Sequence, residues 1–107
     1  RALGTLSVLP GRVSGDSVET ALGRLEIAGD APSGAARVLL RPEALEATAE
    51  GDAVVLDVRP RAGGWRFTAR IEDHVLEGRS ATRLEKGQRI GLRARGPVPV
   101  VAGEEAQ

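Results

Sequence analysis

The chain has no cysteine, no methionine and no tyrosine, and one each of tryptophan, phenylalanine and histidine. Without cysteine there is no disulfide and no thiolate metal site, so the fold must stand on packing alone, an economy compatible with the cytoplasm. The single histidine, His74 beside Asp73, has no second imidazole to complete a metal pair or a proton relay, and reads as an exposed hairpin residue. No apolar run approaches the roughly 20 residues needed to span a membrane as a helix, and the N-terminus lacks a signal-peptide pattern. Net charge is missing too: fifteen basic residues cancel fifteen acidic ones. That argues against a dedicated nucleic-acid binder and against a polybasic membrane anchor. No Gly-x-x-x-x-Gly-Lys-Ser/Thr phosphate loop occurs. No nucleophile elbow occurs either, because Gly11-Arg12-Val13-Ser14-Gly15 places its serine one position late. With no methionine, Arg1 is not a translation start, and the expectation is a processed protein or a piece of a longer one.

What is present suits one small domain. A chain of 107 residues with 41% apolar content can bury about two-thirds of its unfolded surface. All but one of the basic residues are arginine, and alanine and glycine are abundant, which reads as the codon bias of a GC-rich genome. Short β-prone runs dominate. Leu6 to Leu9 predicts a strand ended by Pro10-Gly11, with Arg12-Val13 extended before a turn at Ser14 to Ser17. Val18 to Ala21 returns. Leu22 to Ile27 alternates, with Leu25 and Ile27 facing inward. Residues 28–36 read as a loop rich in Gly, Asp, Pro and Ser.

The chain is organised around Val38-Leu39-Leu40-Arg41-Pro42-Glu43-Ala44-Leu45. An apolar run ends at Pro42, which fixes φ and cannot donate to a ladder, and Arg41 before it is held extended. Glu43 to Ala47 is one helical turn at most. Glu50-Gly51-Asp52 predicts a turn, and Ala53 to Arg59 a strand with Val54, Leu56 and Val58 on one face. After a turn over Pro60 to Gly64, Trp65, Phe67, Ala69 and Ile71 alternate with Arg66, Thr68, Arg70 and Glu72, so the two strands form an antiparallel hairpin. His74 to Glu77 is a weaker strand and Thr82 to Gly87 a turn. In the last regular strand Ile90, Leu92 and Ala94 alternate with Arg89, Gly91, Arg93 and Arg95. Pro97 and Pro99 confine Val98, Val100 and Val101 to a sheet edge. Many short strands with Gly/Pro turns and no long helix predict an all-β domain, a small barrel or two half-barrels sharing strands.

Leu40-Arg41-Pro42-Glu43-Ala44-Leu45 resembles the Arg-Pro-Glu signature of the C-terminal regulatory (TOBE) domain of ATP-binding subunits from ABC-type importers. Leu3-Gly4-Thr5-Leu6-Ser7-Val8-Leu9-Pro10-Gly11-Arg12-Val13 is similar to that family's opening strand, with Ala2 where the family usually has Phe. Leu84-Glu85-Lys86-Gly87-Gln88-Arg89-Ile90-Gly91-Leu92 is similar to its closing segment. The three motifs fall in order across nearly the whole chain, and the Leu-Pro-Gly wording leans towards the ferric-iron branch. The resemblance implies an oligonucleotide-binding-like barrel of short antiparallel strands over residues 1–103, with a polar tail at 104–107. It implies a non-catalytic domain that holds two ATPase subunits together beside their membrane permease, on the inner face of the membrane. ATP and magnesium would belong to a preceding domain, and no cofactor, metal or nucleic acid is expected here.

The candidate site residues follow from these readings. Arg41, Pro42 and Glu43 are expected to be structural, with Arg41 held against a carboxylate and Glu43 satisfying backbone N–H groups. Trp65, Phe67, Arg66 and Arg70 are the candidate interface. Trp65 and Phe67 on one face suit a core or subunit contact better than a base-stacking platform. Arg66, Arg70, Arg89, Arg93 and Arg95 form an outward basic stripe if their strands pair; otherwise they are a solvated face shared with Asp57 and Glu72. The alternative function is a free-standing β-barrel binding module for an oxyanion or single-stranded nucleic acid.

Overall fold

The computed structural model describes residues 6–103; the start of the opening motif, with Ala2, and the tail at 104–107 lie outside the described residues. Nine strands and one short 3-10 turn follow in order: β1 (Ser7–Ser14), β2 (Ser17–Thr20), β3 (Gly23–Glu26), β4 (Gly34–Leu40), the turn Pro42–Ala44, β5 (Leu45–Arg61), β6 (Gly64–Ile71), β7 (His74–Ser80), β8 (Arg89–Ala94) and β9 (Val100–Ala102). They form two sheets, one ordered β3-β2-β1-β4-β9 and one ordered β6-β7-β5-β8 with a further β6–β5 pairing. The all-β expectation holds, and each sheet curls towards closure. In the first, Ile27 just after β3 bridges Val98 just before β9, with Ala28 N–H donating to the Val98 carbonyl at 2.8 Å and Val98 N–H to the Glu26 carbonyl at 2.8 Å. In the second, the end of β5 pairs with β6, β6 with β7, and β7 meets the start of β5 in parallel at Glu46 and Arg79. These are two small barrels in series.

Side-chain alternation fills two cores. Leu9, Val18, Val38, Leu40 and Val98 lead the first; Val55, Phe67, Ala69, Leu84 and Ile90 lead the second. Leu45 and Leu76 come from the second sheet but bury in the first core, and Ile71 and Leu92 touch both. Ser7, a buried polar residue, accepts a hydrogen bond from Glu77 N–H at 3.2 Å across the junction. The barrels therefore share a seam.

Several boundaries differ from the sequence reading. β1 runs through Pro10 because its β2 neighbour begins only opposite Gly11, so Pro10 lies where β1 is paired with β4 alone, the one-sided position that tolerates a missing N–H. Gly11 is needed for close approach: a Cβ there would sit 2.7 Å from Val18 and 2.8 Å from the Glu19 carbonyl. β4 begins at Gly34, inside the expected loop. β5 does not stop at Glu50-Gly51-Asp52 or at Pro60. Its pairing with β8 instead jumps between Thr48 and Ala53, and the Gly51 and Gly91 backbones lie against each other where a side chain on either would collide. A composition that reads as a turn is here a bulge in a coiled strand. A second irregularity between Val55 and Asp57 reverses the inward face. Ala53 and Val55 are buried and Leu56 is exposed, so the expected Val54-Leu56-Val58 face is corrected; only Val58, beyond the bulge, packs on the core.

Candidate functional site

The signature turn lies where the two barrels join. Pro42 is buried at its first position, and its missing N–H leaves nothing unsatisfied there. Ala44 N–H closes the turn on the Arg41 carbonyl at 2.9 Å, and Arg95 N–H donates to the Ala44 carbonyl at 2.7 Å. No side chain caps the turn. Arg41 and Glu43 are both exposed, and Arg41 makes no ion pair among the described residues. The expected roles of these two side chains are thus replaced by backbone bonds. Glu43 instead points to β6, with its Oε2 3.7 Å from Arg66 Nη2.

That pairing opens onto a charged surface of the second barrel. Cross-strand register places Arg59 opposite Arg66 and Arg66 opposite Arg79, a row of three arginines over β5, β6 and β7. The adjacent row on the same face is Asp57, Thr68 and Glu77. Arg59 is drawn to Asp57, Nε to Oδ2 at 3.2 Å. Arg61 and Arg79 make no ion pair among the described residues. Beside the row is a depression of ≈ 390 Å³ lined by Glu43, Arg61, Ala62, Trp65, Arg66 and Arg79. Three arginines and one glutamate are among its lining residues. The Arg66 side chain is 21% exposed, and its Nε is buried without a hydrogen-bond partner. Like charges directly opposite in a sheet repel, and an orphan buried N–H destabilises by about 1–3 kcal/mol, so this arrangement is one the fold tolerates rather than profits from.

The proposed basic stripe does not assemble as written. β5 separates Arg66 and Arg70 from β8. Arg93 and Arg95 both bind Glu46, at 2.7 and 3.0 Å, and Arg89 lies 3.9 Å from Asp52. Among the four candidate interface residues, Phe67 is 1% exposed and belongs to the second core, which corrects its placement at a surface: it sits mid-strand beneath Gly78, where only a glycine leaves room for its ring. Trp65 is half-buried at the strand end, with the Arg83 guanidinium 5.6 Å from its ring centroid. Arg70 is exposed. One accessible aromatic and one buried one do not make a base-stacking platform. His74 is half-buried at the start of β7. Among the described residues no three His, Cys, Asp or Glu side chains converge to hold a metal ion, and no helix is long and apolar enough to cross a membrane.

No family model matches the chain. It is 34% identical, over 105 residues covering 88% of its length, to the Fe(3+) ions import ATP-binding protein FbpC 2 of Rhodococcus jostii (strain RHA1). It is 32% identical over the same share to FbpC 3 of that organism. The chain spans 30% of the length of each of these relatives. The resemblance carried by the three motifs, with its lean to the ferric-iron branch, is borne out.

Proposed function

We propose that the chain, similar to about a third of a ferric-ion import ATP-binding protein, is the C-terminal regulatory and dimer-stabilising domain of the ATP-hydrolysing subunit of a bacterial ABC importer. The observation that carries this reading is the extent of the match: nearly all of this chain aligns with a minor share of its relatives. The fold agrees, because two coupled β-barrels suit a rigid appendage. On this reading the domain does no chemistry. ATP and magnesium are held by a preceding nucleotide-binding domain. Ferric iron is the cargo of the assembled transporter. The partners are a second copy of the subunit and the membrane permease, at the cytoplasmic face of the membrane.

The mechanism is a tether. Two nucleotide domains must separate and rejoin in each cycle, and joining their C-terminal domains keeps each at high effective concentration near the other without adding a contact at the nucleotide site. Two measurements test this. The gene upstream of the Arg1 codon should continue in frame into a phosphate loop; a stop codon, or a start immediately before Arg1, overturns the reading. The parent subunit should sediment as a dimer without nucleotide and as a monomer once residues 1–107 are removed; an unchanged dimer refutes the tether.

A further inference from the structure

We propose that the outward face of β1, β4 and β9 is the surface on which the preceding nucleotide-binding domain of the same polypeptide packs. The inference rests on the transporter reading for the existence of that domain, and on the structure for where it sits. Among the described residues the exposed large apolar side chains are Leu6, Val8, Leu56, Val75 and Val101. Leu6, Val8 and Val101 share one side of the first sheet. Val8 lies directly opposite Leu39, and Leu39 N–H donates to the Pro99 carbonyl at 3.0 Å. In the next row Pro10 is opposite Arg37, and Arg37 is opposite Val101. The residues on either side of Val8, Leu39 and Pro99 along their strands are buried, so these three point outward together. Leu6, two residues before Val8, extends the apolar surface towards the N-terminus. Leu56 and Val75 stand singly, Leu56 beside Asp57 and Val75 opposite Arg70. Single apolar residues on a surface are ordinary, whereas a contiguous group marks a place of contact.

The chemistry of this face suits another protein surface. β1, β4 and β9 carry no acidic residue. Their charges are Arg12 and Arg37, with Arg41 one residue beyond β4, and all three are exposed without an ion pair among the described residues. An apolar centre with arginines at its rim has the composition of a protein contact, and the rim calls for carboxylates on the partner. β9 is also the last strand of its sheet and holds no lysine or proline to blunt that edge. Position selects the occupant. Leu6 is part of this surface and leads straight into β1, so the polypeptide that joins the two domains reaches the barrel here. The chain spans 30% of the length of its relatives, which leaves a domain larger than this one to cover the face. A domain tethered at the rim of an apolar surface meets it at high effective concentration.

The experiment uses the purified parent subunit carrying one of four substitutions: Val8→Cys, Val101→Cys, Leu56→Cys or Val75→Cys. These positions are comparably exposed in the domain itself. Maleimide labelling is read by mass on the peptides of this domain, which has no other cysteine. Val8→Cys and Val101→Cys should label more slowly than the other two by about tenfold or more, because a thiol beneath a contact reacts only when the contact opens. All four should label alike in guanidinium chloride. Val8→Asp should speed limited proteolysis between the two domains, and Val75→Asp should leave it unchanged. Val8 and Val75 are both exposed, and a parent-like melting curve shows that each variant folds. Sedimentation of Val8→Asp identifies what covers the face: a dimer like the parent's upholds the preceding domain as occupant, and dissociation to monomers puts a second copy there and overturns it. Equal labelling at all four sites, or interdomain cleavage untouched by Val8→Asp, also overturns it. The upstream reading frame separates the two failures. Without a phosphate loop there, the transporter reading falls and the docking face with it; with one present and the thiols unprotected, the docking face alone falls.

Discussion

Two residues mark where single atoms decide the fold. Gly78 lies on β7 directly opposite Phe67, and a Cβ there would stand 2.6 Å from the ring and 2.7 Å from the Leu45 carbonyl. Neither neighbour can yield freely, because both are buried in the cores. Gly78→Ala is expected to destabilise by about 1–3 kcal/mol, the range for overpacking a filled core, read as a lower denaturant midpoint. Glu72 is the converse case. It holds φ at 54° in the two-residue turn between β6 and β7, a left-handed conformation that strains a side chain other than Gly or Asn. Since Glu72 is exposed, Glu72→Asn should raise stability by about 1 kcal/mol, and thermal melting at neutral pH checks it.

At the scale of elements, the 3-10 turn carries the sharpest expectation. Pro42 is buried and starts the turn that separates the first sheet from the second. Pro42→Gly should lower stability by about 0.4–1 kcal/mol through the freer unfolded chain; a melting temperature equal to the parent's refutes the organising role. This turn was legible in the sequence, as were the β5–β6 hairpin and the edge position of Val100 and Val101, because Pro and Gly act locally. The closing motif was also legible, and the structure explains it: Leu84 and Ile90 bury in the second core, while Gly87 takes φ of 85° between them. The arginine row was not. Arg59 and Arg61 sit in what reads as a strand end and a turn, and Arg79 lies beyond the expected end of β7. Their meeting depends on β5 running through Pro60 and β7 running to Ser80. It depends also on a bulge that resets the register, and no local pattern encodes such a shift. The basic stripe was misread for the same reason, since alternation gives the face of a strand but not its neighbour.

For the molecule as a whole, the shared seam sets cooperativity. Leu45 and Leu76 fill the first core from the second sheet, and Ile71 and Leu92 touch both. Unfolding in urea should therefore give coincident transitions by Trp65 fluorescence, which sees the second barrel, and by far-UV circular dichroism, which sees both. Separate midpoints would mean that the barrels unfold independently. Closure of the first barrel has a consequence for biosynthesis. Its strands β1 to β4 end at Leu40, yet β9 and the Ile27–Val98 bridge come from the far end of the described chain. The second barrel is contiguous from Leu45 to Ala94. On the ribosome β1 to β4 must wait for β9, which is made only after the whole second barrel, since non-local pairings form only after the intervening chain exists. The order of synthesis and the order of completion are thus reversed, and the nascent first sheet stays open at the β4 edge until translation has passed Ala102.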